Sequence, residues 1–494
     1  MTNKKNLIVL NFLMVKKIIN MKYKISILFI SLFTISCIPS LVKRDVNKAV
    51  PKMYDSTRVD TTNAAKLKWK QFFTDPDLIA LIDTALKHNQ QFNIVLQDVI
   101  IANNQVRARK GMYLPFVRLF AGAGIDKVRK YTTLGALESN RNVEIRPGKP
   151  IPENLPSFLF GANVSWQIDI WKQLRNAKKS ALYNYFATTE GKNYTATLLI
   201  AEMAHNYYEL LALDNQLTIL KANIEIQTNA LEIITLQKQA GTVTELAVRR
   251  FEAEVAKNKS RQFSIQQKIV ETENRINFLL GRFPQPIKRN PELFNQLNPL
   301  PLATGVPSQL LQNRPDIKQA EQALTATKLD VKVAKANFYP NLNLTANLGY
   351  EAFSMRYLLT TPESMLYNLA GGLVAPLINR NAIKADYLNA NARQIQAVYN
   401  YEQTVINAYT EVVNNQNNIK NLADSYDFKS KQVAALTRSI DISISLFKSA
   451  LADYVEILLT QRDAIEAKME MVETKKQQMN AQVKMYQVLG GGVE

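Results

Sequence analysis

The sequence predicts a mainly α-helical protein in which two repeated halves also supply strands of a membrane β-barrel. Three observations lead to this fold class. Only 16 Gly and 18 Pro occur in 494 residues, about half the usual share of glycine, so long uninterrupted elements are expected. Several segments correspond at a nearly constant spacing. Each half also contains two stretches in which apolar and polar residues alternate.

At the N-terminus, residues 1–36 have the pattern of an export signal. A basic segment that begins at Met21 is followed by the mostly apolar run Ile25–Ile35, which is too short to span a bilayer as a helix. Residues 1–20 precede this second candidate start and are either an over-extended gene start or an extended basic region. We expect residues 1–36 to act as a signal peptide.

The single cysteine, Cys37, follows the apolar run after one small residue and looks like the lipidated residue of a lipoprotein signal. One difference from such signals is Thr34, because Leu is usual three places before the cysteine. We expect Cys37 to carry a covalent lipid and to become the mature N-terminus. Residues 37–64 show little periodicity and are predicted to form a lipidated tether.

Composition and charge argue against several classes of function. The formal charge is +19, but six of the lysines lie in residues 1–36, and the remaining +13 is interleaved with acids along the chain. No dense basic run is present, so nucleic acid is not expected as a partner. One Cys and two His leave little from which to build a metal site or a histidine-based catalytic site. We therefore predict no metal, no cofactor other than the covalent lipid, no catalytic residue and no enzyme activity.

Comparison of the chain with itself reveals an internal repeat. Leu114–Val117 corresponds to Tyr339–Leu342 at a spacing of 225 residues, and Leu280–Gly281 corresponds to Leu489–Gly490 at a spacing of 209. The predicted first repeat, linker and second repeat are residues 65–285, 286–312 and 313–494.

Each repeat is predicted to contribute one β-hairpin. Residues 158–170 place an apolar side chain at every second position, and residues 341–350 do the same. The strand predicted over residues 116–126 alternates from Val117 onward except at Phe120, and residues 367–375 form a weaker partner strand. Strands of about ten residues with one apolar and one polar face are typical of transmembrane barrels.

Four strands cannot close a barrel, since about eight is the smallest number whose interior packs. Several chains must therefore contribute to one barrel. Two chains would give eight strands and a filled interior, whereas three would give twelve and leave a lumen. In such a barrel Trp166 and Trp171 are expected to be aromatic residues at the membrane interface.

The remaining sequence is predicted to form long helical hairpins. No Pro occurs from residue 157 to 283, and neither Gly nor Pro from 377 to 489. We place the two fold-backs at Gly241 and Ala450. The predicted long and return arms are residues 173–239 and 243–280 in the first repeat and residues 381–448 and 451–487 in the second. At the helical rise of 1.5 Å per residue, each long arm measures about 100 Å.

Four segments resemble the TolC-like outer-membrane efflux protein family, in particular its lipoprotein branch associated with multidrug pumps. These segments are Trp69–Asp75, Ser165–Trp171, Asn313–Pro340 and Val488–Gly492. The resemblance covers roughly residues 65–492. It is specific because the four segments occur together.

The resemblance implies a homotrimer with a twelve-stranded outer-membrane barrel and a periplasmic α-helical tunnel. Such a protein is the passive exit duct of a tripartite efflux pump and exports small molecules such as drugs or metal ions. Its implied partners are a periplasmic adaptor protein, an inner-membrane pump and the lipid of the outer membrane. The alternative is an exported helical structural or adaptor protein without a pore, which has no need of lipid-facing strands.

In this family the helix tips form a constriction that often carries acids, and the match places Asp453 and Glu456 there. Leu459 stands where Asp is common and Ala450 where Gly is common, so the match is incomplete. Glu245, at the first fold-back, is a weaker candidate. We predict an acidic gate ring that favours cations. Solvated charges at a helix end are the alternative.

Two further groups are interpreted as structural. Arg314-Pro315-Asp316 is predicted to begin a helix, because Pro suits the first helical turn and an acid is favoured at the positive end of the helix dipole. His88 and His205 lie in helical stretches and are interpreted as packing or surface residues.

Overall fold

The computed structural model describes residues 38–54, 68–127, 131–138, 144–150, 152, 154–297, 305–449 and 451–492. The predicted signal peptide, the predicted lipid site Cys37 and the fold-back residue Ala450 lie outside the described residues. The chain divides into two compact units. The sheet unit comprises the described parts of Met1–Arg44, Asn103–Tyr183 and Leu324–Ala397, and the helical unit those of Asp45–Ala102, Asn184–Ala323 and Val398–Glu494.

Two long helical hairpins dominate the described residues. The helices are α1 (Trp69–Phe72), α2 (Pro76–His88), α3 (Gln90–Tyr113), α4 (Thr133–Glu138), α5 (Gln173–Gln239), α6 (Glu245–Leu279), α7 (Leu293–Gln296), α8 (Leu310–Asn313), α9 (Pro315–Ala336), α10 (Asn381–Lys448) and α11 (Tyr454–Leu489). Short 3-10 helices cover Pro307–Gln309 and Met355–Tyr357. α5 and α10 have the bounds predicted for the long arms, because no proline interrupts either segment. The prediction of two long helical hairpins is confirmed.

The end of α6 lies close to the junction of α2 and α3. Gly281 has a positive φ of 69°, and a Cβ atom there would lie 2.4 Å from the carbonyl oxygen of His88. Both observations explain why this position requires glycine. Beside it, Asn89 Nδ2 donates a hydrogen bond to the carbonyl oxygen of Leu279 at 3.0 Å.

The end of α11 repeats this arrangement. Gly490 has a φ of 97°, and a Cβ atom there would lie 2.8 Å from the carbonyl oxygen of the residue before Arg314. Arg314 Nη1 donates a hydrogen bond to the carbonyl oxygen of Val488 at 2.9 Å. Gly281 and Gly490 are 209 residues apart, and Asn89 and Arg314 are 225 apart. Each half therefore has the same local structure, in which a glycine ends the return helix and a side chain donates a hydrogen bond to its last turn. The two spacings of the sequence repeat, 209 and 225 residues, relate these two features between the halves.

The strands are β1 (Phe116–Asp126), β2 (Glu144–Arg146), β3 (Lys149–Pro150), β4 (Leu155–Ile168), β5 (Asn341–Ala352) and β6 (Met365–Val374). Four of them form an antiparallel sheet in the order β1-β4-β5-β6, and β2 pairs with β3. The hairpins β1–β4 and β5–β6 come from the first and second halves, and β4–β5 pairing joins them. The four predicted strands are confirmed, with ends that differ by at most three residues.

One face of the four-stranded sheet is apolar from edge to edge. Leu119, Ala162, Leu348 and Tyr367 stand opposite one another in register, and the rows on either side are also apolar. On the edge strands, Leu119 is 86% and Tyr367 is 76% exposed. Within the described residues, nothing covers this apolar face or pairs with the outer edges of β1 and β6.

Phe120, the exception to the alternation that starts at Val117, lies on the polar face of the sheet and is half-buried, unlike the other residues of β1. It stands opposite Gly161, which stands opposite Gly349 on the next strand. A Cβ atom on Gly161 would lie 2.9 Å from Cζ of Phe120. The aromatic ring therefore covers the space that the glycine leaves open.

Residues 38–54 contain neither helix nor strand, as their lack of periodicity predicts. They nevertheless pack on the protein. In the sheet unit, Leu41 packs on an apolar cluster of α9 and α10. In the helical unit, Lys48 Nζ lies 2.6 Å from Glu321 Oε1, and Tyr54 stacks on a tyrosine of α10. The described part of the predicted tether is thus held along these two helices.

The Trp69–Asp75 segment is part of the core of the helical unit. Trp69 and Phe72 are buried, and the Phe72 ring lies 4.9 Å from that of Tyr486 in α11. Asp75 caps α2 by accepting a hydrogen bond from a backbone N–H of its first turn. The same carboxylate accepts a hydrogen bond from the Tyr207 hydroxyl at 2.6 Å. The segment therefore has a packing role.

Candidate functional sites

The first helix tip, between α5 and α6, carries the candidate Glu245. Thr244 caps α6 by accepting a hydrogen bond from a backbone N–H of the first turn. Glu245 pairs with Lys238 at 2.8 Å and with Arg249 at 2.8 Å. The hydrogen bond from Lys238 is the main cause that lowers the pKa of the Glu245 carboxyl, and Arg249 adds to it. Two cations thus offset the charge of this candidate.

The second helix tip, between α10 and α11, carries Asp453 and Glu456. Asp453 is the N-cap of α11, and its Oδ1 accepts a hydrogen bond from the backbone N–H of Tyr454 at 2.6 Å. Glu456 lies in the first turn, where the positive end of the helix dipole favours an acid. Both side chains are exposed. Neither has an ion-pair partner among the residues that the structure describes, so their charges are available.

The two tips pack on each other through one apolar cluster. The tip cluster consists of Ile234, Ala247, Val248, Phe251 and Tyr454. Its members come from α5, α6 and α11, so Tyr454 joins the second tip to the first. The three candidate gate residues flank this cluster in sequence and lie at the same end of the helical unit.

A layer of buried carboxamides borders the tip cluster. Along α5, Gln227 falls between Leu220 of a neighbouring apolar cluster and Ile234 of the tip cluster. Asn258 Nδ2 donates a hydrogen bond to Gln227 Oε1 at 2.8 Å. Gln227 Nε2 and Gln461 Oε1 are buried and lack hydrogen-bond partners among the described residues. Each buried polar atom without a hydrogen-bond partner lowers the free energy of unfolding by about 1–3 kcal/mol. Sequence reasoning missed this layer, whose signal is amide residues at core-facing positions of apolar helix faces.

Trp166 and Trp171 lie at the strand ends that adjoin helices. Trp166 Nε1 donates a hydrogen bond to the carbonyl oxygen of Tyr113 at 3.1 Å. Trp171 Nε1 donates to that of Pro340 at 2.8 Å, and its ring stacks on Tyr339 at 4.7 Å. Each indole therefore has a satisfied polar end and a partly exposed apolar body, as interface tryptophans do. Their location at a membrane interface stays a prediction.

Pro315 begins α9 as predicted, and Arg314, the residue before it, joins three elements. Its side chain is 5% exposed and pairs with Asp316 at 2.6 Å and with Glu411 of α10 at 2.8 Å. The Asp316 carboxylate also accepts the backbone N–H of Ile317. Together with the hydrogen bond to Val488 in α11, these contacts give Arg314 a structural role.

His205 is a half-buried histidine of α5 beside a polar groove. Its Nδ1 lies 2.9 Å from Asn480 Oδ1, and the groove is also lined by Asn415 and Lys484. Burial is the main cause that lowers the pKa of the His205 imidazole. The Asn480 contact opposes the shift and Lys484 adds to it. The packing role expected for His205 agrees with these contacts.

The lowered pKa of His205 predicts a loss of stability in mild acid. His205 binds a proton more readily in the unfolded chain than in the folded protein. Its contribution to the free energy of unfolding is therefore present above its ordinary pKa of about 6.5 and is lost as pH falls below that value. Between pH 7.5 and 5.5, the midpoint of urea unfolding should fall more for wild type than for His205→Gln. His88→Gln, at an exposed position of α2, is the control and should behave as wild type. Equal falls for all three proteins would contradict the prediction.

Two further observations concern metals and membrane helices. Within the described residues, no group of three His, Cys, Asp or Glu side chains is arranged to hold a metal ion. In the same part of the chain, none of the helices combines the length and apolar character needed to cross a membrane.

Comparison with known proteins gives a family match over most of the chain. The model of a family described as outer membrane efflux protein matches residues 81–282 and 306–491. The chain is 26% identical over 452 residues to the pyoverdine export outer membrane protein OpmQ of Pseudomonas aeruginosa, covering 91% of this chain and 92% of that protein. It is 24% identical over 447 residues to the cation efflux system protein CusC of Escherichia coli O6:H1, covering 90% of this chain and 93% of that protein.

The fold is also similar to that of a solved outer membrane channel. The open state of the MtrE outer membrane channel of Neisseria gonorrhoeae matches with a TM-score of 0.80 at 21% identity. The match covers 93% of this chain and 98% of that one. The predicted fold class, mainly helical with a barrel-type sheet, is confirmed by this likeness.

Proposed function

The chain belongs to the outer membrane efflux protein family, and from this premise we propose that three copies of it form one passive exit duct through the outer membrane. The open sheet carries this proposal. Among the residues that the structure describes, no strand pairs with its outer edges, and on its apolar face Leu119 and Leu369 are 86% and 80% exposed. In a bilayer each unsatisfied backbone group costs several kcal/mol, so the edges must pair with further strands.

A trimer satisfies the edges and leaves a pore. Pairing of β6 of one copy with β1 of the next extends the same apolar face around a closed ring. Twelve strands leave a lumen, whereas the eight strands of a dimer are filled by side chains. The apolar face then contacts lipid and the polar face lines the lumen, which is the arrangement of membrane barrels.

The alternative of an exported helical adaptor without a pore gains no support. Such a protein needs no sheet with an exposed apolar face, and the efflux family matches both halves of the chain. A passive duct also needs no catalytic residue. It needs a polar lumen, an end that closes and surfaces for its partners.

The proposed duct works with an inner-membrane pump and a periplasmic adaptor protein, as the family resemblance implies. A lipid on Cys37 would attach the chain to the outer membrane. The two relatives are named for pyoverdine and for cations, which differ in size and charge. We therefore propose that the duct passes small molecules of several kinds, such as drugs and metal ions, and that the pump selects among them.

The test of the duct is conductance of the purified, detergent-solubilised protein in planar bilayers, with its oligomer mass measured in the same preparation. A trimer that forms channels is expected. A monomer that stays in solution without detergent and conducts no ions would contradict the proposal and favour the adaptor.

Replacing Asp453 with Asn and Glu456 with Gln is expected to reduce the cation preference of the channel. Each copy supplies two exposed carboxylates, so a threefold tip carries a ring of negative charge that attracts cations. The preference is measured as the reversal potential in a KCl gradient across a planar bilayer.

The matched control is Asp330→Asn with Asp424→Asn, which removes the same charge from exposed positions of α9 and α10 outside the tips. This control is expected to keep the reversal potential of wild type. If the tip variant also keeps it, Asp453 and Glu456 are not part of the gate.

A further inference from the structure

A row of polar side chains crosses the sheet from one edge to the other. Arg118 of β1 stands opposite Asn163 of β4, Asn163 opposite Asn347 of β5, and Asn347 opposite Asn368 of β6. Successive side chains of a strand point to opposite faces, so all four lie on the face opposite the apolar one. Asn163 Nδ2 donates a hydrogen bond to Asn347 Oδ1 at 2.6 Å. We call this set the polar row.

The positive charge of the polar row is uncompensated. Arg118 is exposed, and its guanidinium lies 4.9 Å from the ring centre of Phe116 on the same strand. Within the described residues no carboxylate pairs with it. The same face carries Asp126 and Glu351, but these lie about 26 Å and 13 Å further along the strands at 3.3 Å per residue. A guanidinium in this setting is free to bind a ligand.

The donors of the polar row suit an anion. A guanidinium presents N–H groups in a planar fork that matches carboxylate and phosphate oxygens. The neighbouring carboxamides offer further N–H donors and carry no negative charge. A cation finds only carboxamide oxygens there, beside a repelling charge.

We propose that the polar row binds the anionic groups of solutes, such as carboxylates and phosphates, inside the barrel. This inference rests on the proposed function, since closure by three copies turns the row into a ring around the lumen with one guanidinium and three carboxamides from each copy. The ring raises the local concentration of anions, whereas the acidic tips favour cations. The ring and the tips thus act on opposite charges, and the tips must be neutralised to observe the ring alone.

The experiment measures the full-length protein in planar bilayers with Asp453→Asn and Glu456→Gln as the background. Arg118→Gln in this background should shift the reversal potential toward cation preference in dilute KCl. The shift should disappear in concentrated KCl, because the screening length falls from about 30 Å at 0.01 M to 3 Å at 1 M. Inorganic tripolyphosphate, a polyvalent anion probe, should block the background channel, with about tenfold weaker block after Arg118→Gln, a change of about 1.4 kcal/mol.

Two variants separate charge at this position from other effects. Arg118→Lys keeps the charge and should retain the reversal potential of the background. Arg107→Gln removes the same charge from an exposed position of α3 and should leave both measurements unchanged.

If channels form and Arg118→Gln leaves both the reversal potential and the tripolyphosphate block unchanged, the anion ring is wrong and the duct stands. If the background protein and wild type both form no trimeric channel, the duct and the ring are overturned together.

Discussion

Gly161→Ala is expected to prevent the pairing of β4 with β5, and with it the assembly of the membrane-inserted sheet. A Cβ atom on Gly161 would lie 2.5 Å from the carbonyl oxygen of Leu348 and 2.7 Å from Cα of Gly349. Both contacts are with backbone atoms, so no side-chain rotation relieves them. The strands must separate locally, and in a bilayer the freed N–H and C=O groups have no water to bond, at several kcal/mol each.

The measurement is the amount of heat-resistant oligomer recovered from the outer membrane fraction. We expect Gly161→Ala to lower it more than tenfold, since a loss above about 1.4 kcal/mol already has that effect on an equilibrium. Removal of the ring that also contacts this position, in Phe120→Ala with Gly161→Ala, should not restore it, because the backbone clash remains.

The matched control is Gly122→Ala on the same polar face. A Cβ atom there would meet Leu159 at 3.5 Å, an ordinary contact with a side chain. Oligomer recovery should therefore equal that of wild type or rise slightly, since alanine restricts the unfolded chain more than glycine does. Wild-type recovery of the Gly161→Ala protein would show that the β4–β5 ladder adapts to a methyl group.

The helices and strands were predictable because their signals are local. α5 and α10 end at the predicted residues, and the alternation places β4 and β5 to within three residues. The pairing of β4 with β5 is different. It joins Gly161 to Gly349, 188 residues apart, and no periodicity within one strand specifies its register with a distant one. For this reason the polar row could not be predicted from the sequence.

The positions of the candidate gate residues at the helix tip were predictable from local signals, and their role in a gate stays a prediction. Asp453 caps α11 and Glu456 lies in its first turn, where the match to the family placed them. The compensation of Glu245 by Lys238 depends on the geometry of the turn that separates them. The burial of Tyr454 in the cluster of the first tip depends on how two hairpins pack. Such contacts follow from tertiary structure and have no sequence period.

At Arg314 the helix start was predictable from local sequence, whereas the contacts with Glu411 and Val488 were not. Loss of these contacts is expected to have a large effect on stability. Arg314→Met is expected to lower the free energy of unfolding of the full-length protein by about 3 kcal/mol, because breaking a buried ion pair leaves charge and polar atoms without partners. The loss includes the contacts of its 5% exposed side chain with Asp316 and Glu411 and its hydrogen bond to Val488. The Glu411 side chain is 40% exposed, so water reduces its share of the loss. The shift is measured by urea unfolding, followed by the helical circular dichroism signal in detergent.

The internal repeat supplies a control for the role of charge. Asn89 occupies the position that corresponds to Arg314 and donates a neutral hydrogen bond to the last turn of α6. Asn89 Oδ1 also accepts a hydrogen bond from the backbone N–H of Phe92 in the first turn of α3. Asn89→Ala should therefore lower the free energy of unfolding by about 1–2 kcal/mol, the usual effect of losing a helix cap and a buried hydrogen bond. Arg438→Ala, at an exposed position of α10, should stay within about 0.5 kcal/mol of wild type. Arg314 forms buried ion pairs in addition to the hydrogen bond that both residues make. The free energy of unfolding should therefore fall more for Arg314→Met than for Asn89→Ala. Equal losses of unfolding free energy would mean that the hydrogen bond to the last turn of the return helix stabilises this junction in each half, and that the ion pairs of Arg314 add nothing.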